Sequence, residues 1–216
     1  MSGYKCVIFD CDGVLVDSEN IGNQVLVEMA NELGADIDLE YAFKMYVGSH
    51  LYACMQDIEC LIGKPVPMSF ETEFRKRSFD AFDRYLLPVN GVEGVLTSMR
   101  LPFCVASSGP QNKIRLNLKN TGLLQYFDNN IYSCYDINKW KPEPDIFIHA
   151  ARDMGFQPSD CLVIEDSSKG IEAAIRGGFD VFAYAENGRE HHFSYQPTET
   201  FTTMAELLPL IESYSK

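Results

Sequence analysis

"VIFDCDGVLVDS", residues 7–18, joins a short apolar run to closely spaced acidic residues. Residues 7–9 have the composition of a strand that is buried on both faces, yet Asp10 and Asp12 follow at once. Two like charges at the end of a buried strand repel each other and lose hydration. We therefore expect a positively charged partner at this end of the strand.

Composition describes an ordinary globular chain of one domain, or of one domain with a smaller insertion. The 216 residues are 46% hydrophobic and 23% charged. With 18 Lys plus Arg against 31 Asp plus Glu, the net charge is −13, which repels a polyanion on average. Nucleic acid is therefore not an expected partner.

Seven cysteines are scattered along the chain without a Cys-x-x-Cys pair. This usage favours reduced, buried thiols in a cytoplasmic protein. The start "MSGYKC" lacks the pattern of an export signal, and no uncharged apolar run approaches the roughly 20 residues of a membrane helix. We expect a cytoplasmic protein with no membrane partner, present as a monomer.

Short β-rich runs alternate with helical segments along most of the chain. The strand candidates are "CVIFD" (6–10), "FCVASS" (103–108), "NIYSC" (130–134), "CLVIED" (161–166) and "VFAY" (181–184). The helix candidates between them are residues 91–99, 110–122, 144–155 and 170–178. This alternation predicts an α/β fold with a doubly wound parallel sheet.

One interval, from about Asp17 to Pro88, has no convincing strand. It contains amphipathic stretches such as residues 19–34 and 70–82. We interpret it as an all-helical insertion, so residues 1–16 and 88–216 form the core and residues 17–87 a helical cap.

Polar residues end several of the predicted strands. Parallel strands present their carboxyl ends at one edge of a sheet, where ligands bind, so these side chains should converge. They are Asp10 and Asp12, Ser107 and Ser108, and Glu165 and Asp166, with Lys141 in "WKPEPD" nearby. Carboxylates gathered in one crevice need a hard cation, for which Mg2+ is the natural choice.

Each feature also has an ordinary explanation when it is taken alone. A strand-ending serine is usually a turn residue, and Glu165 with Asp166 could be a helix N-cap. Lys141 before Pro142 could simply be an exposed charge at the start of a helix. The functional interpretation rests on their occurring together, each at an independently predicted position.

The combined pattern resembles the haloacid dehalogenase superfamily, in particular its phosphohydrolases with a helical cap. Its first signature, D-x-D-G-x-[LIV]-x-D-[ST], matches residues 10–18, and Ser107 matches the second. The third, K-P-x-P-D, matches residues 141–145, and the fourth, E-D-S-x-x-G, residues 165–170. The wording of "SSGPQNK" (107–113) and "CYDINKWKPEP" (134–144) is similar to the bacterial 6-phosphogluconate phosphatase branch, among the sugar-phosphate phosphatases and β-phosphoglucomutase-like proteins.

The resemblance implies a Mg2+-dependent phosphohydrolase that acts on a small-molecule phosphate ester. Asp10 would form an aspartyl phosphate, and Asp12 would serve as acid and then base. Ser107 and Lys141 would bind the phosphoryl oxygens, and Ser108 and Gly109 of the same loop would also bind the substrate. The metal would be held by Asp10, Asp166, the backbone carbonyl of Asp12 and Glu165.

Cap residues would contact the rest of the substrate. The candidates are Ser18, Asn20, Gly48, Ser49 and His50, together with the basic residues Arg75, Lys76 and Arg77. A basic stretch among acidic neighbours is commonly a solvated helix face with ion pairs, so both interpretations of Arg75 stay open. A contact from Arg75 would favour phosphorylated sugar acids, such as 6-phosphogluconate.

Four other functions compete with hydrolysis. In the sugar phosphomutases of this family, a histidine stands five residues beyond the last aspartate of the first signature. In this chain that aspartate is Asp17, and the residue five positions on is Gly22. A haloacid dehalogenase has no need of Asp12, and a phosphoacceptor signalling receiver lacks a long helical insertion. A binding relative without turnover would be expected to have lost a motif position, and each is present.

Overall fold

The computed structural model describes residues 3–46, 51–127, 129–185 and 193–214. Contacts between Cα atoms divide the chain into two compact units, residues 17–86 and the remainder. The larger unit holds a parallel sheet of six strands in the order β3-β2-β1-β4-β5-β6. The strands are β1 (Cys6–Phe9), β2 (Phe103–Ser107), β3 (Ile131–Ser133), β4 (Cys161–Glu165), β5 (Asp180–Tyr184) and β6 (Glu199–Phe201).

Helices connect the strands of this larger unit. They are α5 (Val92–Ser98), α6 (Gln111–Asn120), α7 (Cys134–Ile137), α8 (Asp145–Asp153), α9 (Ser168–Arg176) and α10 (Met204–Ser213). Cys6 and Ile8 of β1 pack in one core cluster with residues of α8 and α9, while Val7 and Phe9, which alternate with them, are also fully buried. Both faces of β1 are therefore covered, as expected for a doubly wound sheet.

The described residues of the smaller unit form helices joined by loops and include no strand. Its helices are α1 (Ser18–Glu32), α2 (Leu39–Tyr46), α3 (Leu51–Ile62) and α4 (Phe70–Tyr85). They enclose a separate apolar core that includes Leu26, Ala30, Ile58 and Phe70. The unit thus has its own core, as an inserted domain requires.

The sequence predicts five of the six strands. It also predicts six of the helices, namely α1, α4, α5, α6, α8 and α9. The prediction omitted β6 and the helices α7 and α10, and it gave no bounds for α2 and α3 within the insertion. In the described part of the chain, no helix has both the length and the apolar character needed to cross a membrane.

The insertion begins and ends beside one strand. Val16 forms an isolated antiparallel bridge with Pro88, and the amide of Val89 donates to the carbonyl of Leu15 at 3.0 Å. The backbone before and after the smaller unit is therefore held together at the end of β1.

Candidate active site

The carboxyl ends of β1, β2 and β4 form the base of the site. Phe9 pairs with Val105 on one side and with Ile164 on the other. The amide of Asp10 continues this pattern by donating to the carbonyl of Ile164 at 2.9 Å. Asp10 therefore leaves the sheet between the ends of two neighbouring strands.

Lys141 lies at the centre of the site, on the segment between α7 and α8. Its Nζ atom is 2.5 Å from Oδ1 of Asp10, 2.7 Å from Oε1 of Glu165 and 3.3 Å from the carbonyl oxygen of Ala106. The side chain is only 5% exposed, and Nζ lies 4.7 Å from the centroid of the Phe147 ring. This ammonium is the positive partner that the acidic end of β1 was expected to have.

Glu165 is held by donors on both carboxylate oxygens. Its Oε1 accepts from Lys141, and its Oε2 accepts from the amides of Asp166 and Ser167 and from the Ser167 hydroxyl, at 2.8, 2.8 and 2.9 Å. The Ser167 hydroxyl also accepts from the amide of Gly170 at the start of α9. Glu165 is therefore fixed to the first turn of a helix, where a negative charge is favoured.

Burial and charge act against each other in this cluster. Burial raises the pKa of Asp10 above its usual range, although the positive charge of Lys141 opposes the shift. Burial alone would lower the pKa of Lys141, but the charges of Asp10 and Glu165 reverse this effect and raise it above its ordinary value. Lys141 is therefore held as the ammonium.

Three carboxylates lie close enough to share a cation. One oxygen each from Asp10, Glu165 and Asp166 lies within 4.8 Å of the others. Gly13 makes room for this group, because a side chain at Gly13 would overlap the carboxylate of Asp166. Gly13 also has φ +79°, a backbone conformation that favours glycine. These oxygen donors fit a hard divalent cation.

Asp12 directs its carboxylate to a different lysine. Lys113 Nζ lies 3.1 Å from Oδ1 and 3.0 Å from Oδ2 of Asp12. The negative charge of Asp12 more than offsets burial, so the pKa of Lys113 is raised. Asp10 and Asp12, the first two aspartates of the first signature, thus have separate ammonium partners.

The loop after β2 carries the predicted serine residues. The Ser107 hydroxyl accepts from the amide of Gly109 at 3.1 Å, and the Gly109 carbonyl accepts from the hydroxyl of Ser133 at 2.6 Å. The Ser108 hydroxyl lies 4.0 Å from the sulfur of Cys134. These contacts fix the loop at the same edge of the sheet as Asp10.

The predicted cap contacts belong to the smaller unit or lie outside the described residues. Ser18 is buried at the start of α1, and Arg75 pairs with Glu71 of α4 at 2.8 Å. His50, Gly48 and Ser49 lie outside the described residues.

Two contacts of the site were not predicted from the sequence. Lys113 is not among the predicted site residues. It lies in the first turn of the helix that follows Ser107, and thus near the edge where the strand ends converge. Arg176 at the end of α9 donates to the carbonyl of Pro142 and to Glu143, at 3.1 Å each. This arginine links α9 to the segment that carries Lys141.

Comparison with known proteins agrees with this geometry. The sequence profile of the haloacid dehalogenase-like hydrolases matches residues 4–178. The chain is 33% identical to 6-phosphogluconate phosphatase of Escherichia coli over 208 residues, which cover 96% of this chain and 94% of that protein. The chain belongs to the haloacid dehalogenase-like hydrolase family.

Solved structures with the same fold include two from bacteria. A haloacid dehalogenase-like protein of unknown function from Agrobacterium tumefaciens superimposes with a TM-score of 0.91 at 28% identity, covering 99% of this chain and 100% of that one. A hydrolase of the same family from Deinococcus radiodurans, with bound phosphate and sodium, superimposes with a TM-score of 0.86 at 26% identity. The match covers 99% of this chain and 97% of that one. The chain is also 26% identical to a probable pseudouridine-5'-phosphatase of Drosophila melanogaster, covering 94% of this chain and 90% of that protein. The family match and these phosphatase relatives identify the protein as a phosphoric monoester hydrolase.

Proposed function

We propose that this protein is a Mg2+-dependent phosphohydrolase that cleaves small phosphorylated sugars or sugar acids through an aspartyl-phosphate intermediate on Asp10. The observation that carries the proposal is the position of Lys141, whose ammonium joins Asp10 to Glu165 beside Asp166. A nucleophile, a cation for phosphoryl oxygens and a group of metal-binding carboxylates thus occur at one sheet edge. Phosphoryl transfer depends mainly on positioning and on neutralising charge, which this set of groups provides.

The charges of the site support a divalent cation. When all four carboxylates are ionised, Asp10, Asp12, Glu165 and Asp166 carry four negative charges against the two positive charges of Lys113 and Lys141, which leaves two negative charges. Mg2+ would balance them and neutralise charge on the phosphoryl group.

We assign the metal ligands to Asp10, Asp166 and the carbonyl of Asp12. Glu165 is also in the carboxylate group, but its Oε2 already accepts three hydrogen bonds and its Oε1 receives Lys141. Its proposed role is therefore to hold Lys141 and to complete the negative environment of the metal.

The two aspartates divide the reaction into two steps. A carboxylate oxygen of Asp10 attacks phosphorus and the bond to the alcohol oxygen breaks. Asp12, which has taken up a proton from solvent before this step, gives that oxygen its proton. Water then attacks the phosphoryl group and gives its proton to Asp12, which releases inorganic phosphate and the carboxylate of Asp10. Ser107, Lys141 and the amides of the Ser108–Gly109 loop would contact the phosphoryl oxygens throughout.

The relative from Escherichia coli supports a phosphorylated sugar acid, and 6-phosphogluconate is the first compound to test. We propose Arg75 as the contact for its carboxylate, with Ser18 and His50 as further contacts. The pair between Arg75 and Glu71 is exposed, so it stabilises the protein by only about 0.3–0.5 kcal/mol. A substrate carboxylate that accepts two hydrogen bonds from Arg75 can therefore replace Glu71 at little cost.

Arg84 provides a matched control for Arg75. It lies nine residues along the same helix, which places it on the opposite face. R75A should lower kcat/KM for 6-phosphogluconate by about tenfold relative to p-nitrophenyl phosphate, whereas R84A should leave the ratio unchanged. An unchanged ratio in R75A would remove Arg75 from the substrate site.

Release of inorganic phosphate tests the proposed function directly. The purified protein with Mg2+ should release it from 6-phosphogluconate and related sugar phosphates, and D10N should reduce the rate by at least about a thousandfold. The D10N protein should remain folded, because Lys141 keeps its contact with Glu165. Activity close to wild type in D10N would contradict the mechanism, and isomerisation without phosphate release would indicate a mutase.

We further propose that the protein functions in the cytoplasm. Its seven cysteines are all unpaired, which supports a reducing compartment.

A further inference from the structure

The ammonium of Lys113 contacts both oxygens of the Asp12 carboxylate. The two distances differ by only a tenth of an ångström, at 3.1 and 3.0 Å. The two side chains are 28% and 31% exposed, so the pair is partly withdrawn from solvent. A contact to both oxygens defines the orientation of the carboxylate as well as its position.

The backbone around Asp12 is already fixed by its own turn. The amide of Gly13 donates to the carbonyl of Val16 at 2.9 Å, and the amide of Leu15 donates to that of Cys11 at the same distance. With the backbone held in this way, the rotation of the Asp12 side chain sets the direction of its carboxylate. The contact with Lys113 restricts that rotation.

Lys113 is itself anchored on the loop that carries Ser107. A β-carbon at Gly109 would lie 3.5 Å from Cδ of Lys113 and 3.5 Å from the hydroxyl of Ser107, so the lysine stem passes close to this loop. The first residue of α6, Gln111, donates to the carbonyl of Ile131 at 2.7 Å and to Asp136 at 2.9 Å. The helix that presents Lys113 is thus tied to the neighbouring strand.

From these contacts we infer that Lys113 is a positioning residue that aims the carboxylate of Asp12 at the oxygen of the leaving alcohol. The inference rests on the proposed function, in which Asp12 is the acid and base. Each carboxylate oxygen has two lone pairs, so the contact with Lys113 leaves room for the alcohol or the attacking water. Proton transfer requires hydrogen-bond geometry, and a displacement of about 1 Å can slow a reaction a hundredfold.

The experiment compares two substrates that differ in their need for a proton. p-Nitrophenolate leaves without protonation, whereas the sugar alcohol of 6-phosphogluconate requires it. In K113M, kcat/KM should fall about 10- to 100-fold for 6-phosphogluconate and less than about threefold for p-nitrophenyl phosphate. K113R should recover most of the loss, because its guanidinium can also contact both oxygens.

Two controls separate positioning from a general loss of charge or structure. K119M makes the same change at an exposed site in the last turn of α6 and should alter neither substrate. In a D12N background, K113M should cause no further loss with 6-phosphogluconate, because the residue it positions has lost its function. If K113M does not fold, K113Q is compared with K113R by the same ratio of the two substrates.

The outcomes are distinct. An equal loss with both substrates, no loss with either, or a full additional loss in the D12N background would overturn the role of Lys113. A wild-type protein that hydrolyses neither ester would overturn the proposed function itself, before any Lys113 variant is measured.

Discussion

The Cα atom of Gly170 lies against the carboxylate of Glu165, so closely that a β-carbon at Gly170 would overlap both Oε1 and Cδ. Glu165 in turn positions Lys141 and accepts three donors at the start of α9. The absence of a side chain at Gly170 is therefore a requirement of the site.

G170A should destabilise the protein by about 1–3 kcal/mol, because Glu165 or the first turn of α9 must move. G94A is a matched control, since Gly94 is also the third residue of a helix in the same unit and a β-carbon there meets nothing within 4 Å. G94A should stabilise by about 0.5–1 kcal/mol, as expected for alanine in place of glycine in a helix. Urea unfolding measures the free energy of unfolding of both variants. If G170A were as stable as G94A, Glu165 would accommodate the added β-carbon at no cost in stability.

K141M should cost about 3–5 kcal/mol, because it leaves two buried carboxylates without their ammonium. The same change at Lys113 should cost less than about 1 kcal/mol, since that pair is partly exposed. Adding E165Q to K141M should recover at least about 1 kcal/mol, which a double-mutant cycle measures. Strict additivity of the two substitutions would contradict the described contact.

Mg2+ should raise the unfolding temperature of the wild-type protein. Free Mg2+ at 100 times its Kd adds about 2.7 kcal/mol, and D166N should abolish this gain. D160N is the control, because Asp160 lies at the opposite end of β4 and pairs with Lys5. Differential scanning calorimetry with and without Mg2+ measures the change in unfolding temperature. If Mg2+ raised the unfolding temperature of D166N as much as that of the wild type, Asp166 would be excluded as a ligand.

Iodoacetamide should label one cysteine of the native protein at pH 8, and all seven in denaturant. Cys60 is exposed, whereas the other six are buried. Burial raises the pKa of Cys54 to about 11 and that of Cys11 well above its usual value, so at pH 8 little of either is present as the reactive thiolate. Mass spectrometry identifies the labelled sites. Rapid labelling of Cys11 would mean that the turn after β1 opens in the native state.

The sheet was largely predictable because its strands are short apolar runs that are buried on both faces and end in polar residues. The strand β6 was missed because it has three residues at the sheet edge, only one of which, Phe201, is buried. A local signal did exist for the helix α10, where the amide of Thr203 donates to Glu206 at 3.1 Å in a capping box. Short edge elements depend on tertiary contacts that local patterns do not encode.

The site divides in the same way. Asp10 follows β1, and Ser107 and Glu165 are the last residues of β2 and β4, so topology alone brings them together. Lys141 lies in an irregular segment, and its family motif indicates its role as much as its position does. The pairing of Lys113 with Asp12 spans 101 residues, and a lysine in a polar helix gives no local sign of such a partner.

The bridge between Val16 and Pro88 fixes two points of the backbone about 5 Å apart, as in any antiparallel pair. A segment of almost any length or fold can start and finish there if its own ends lie side by side, and the cost of closing a loop rises only slowly with its length. Replacement of residues 17–86 therefore leaves the hydrogen bonds of β1 intact. Under the proposed function, the residues of the reaction lie outside this segment and the contacts to the rest of the substrate lie within it, so the second set can change without disturbing the first.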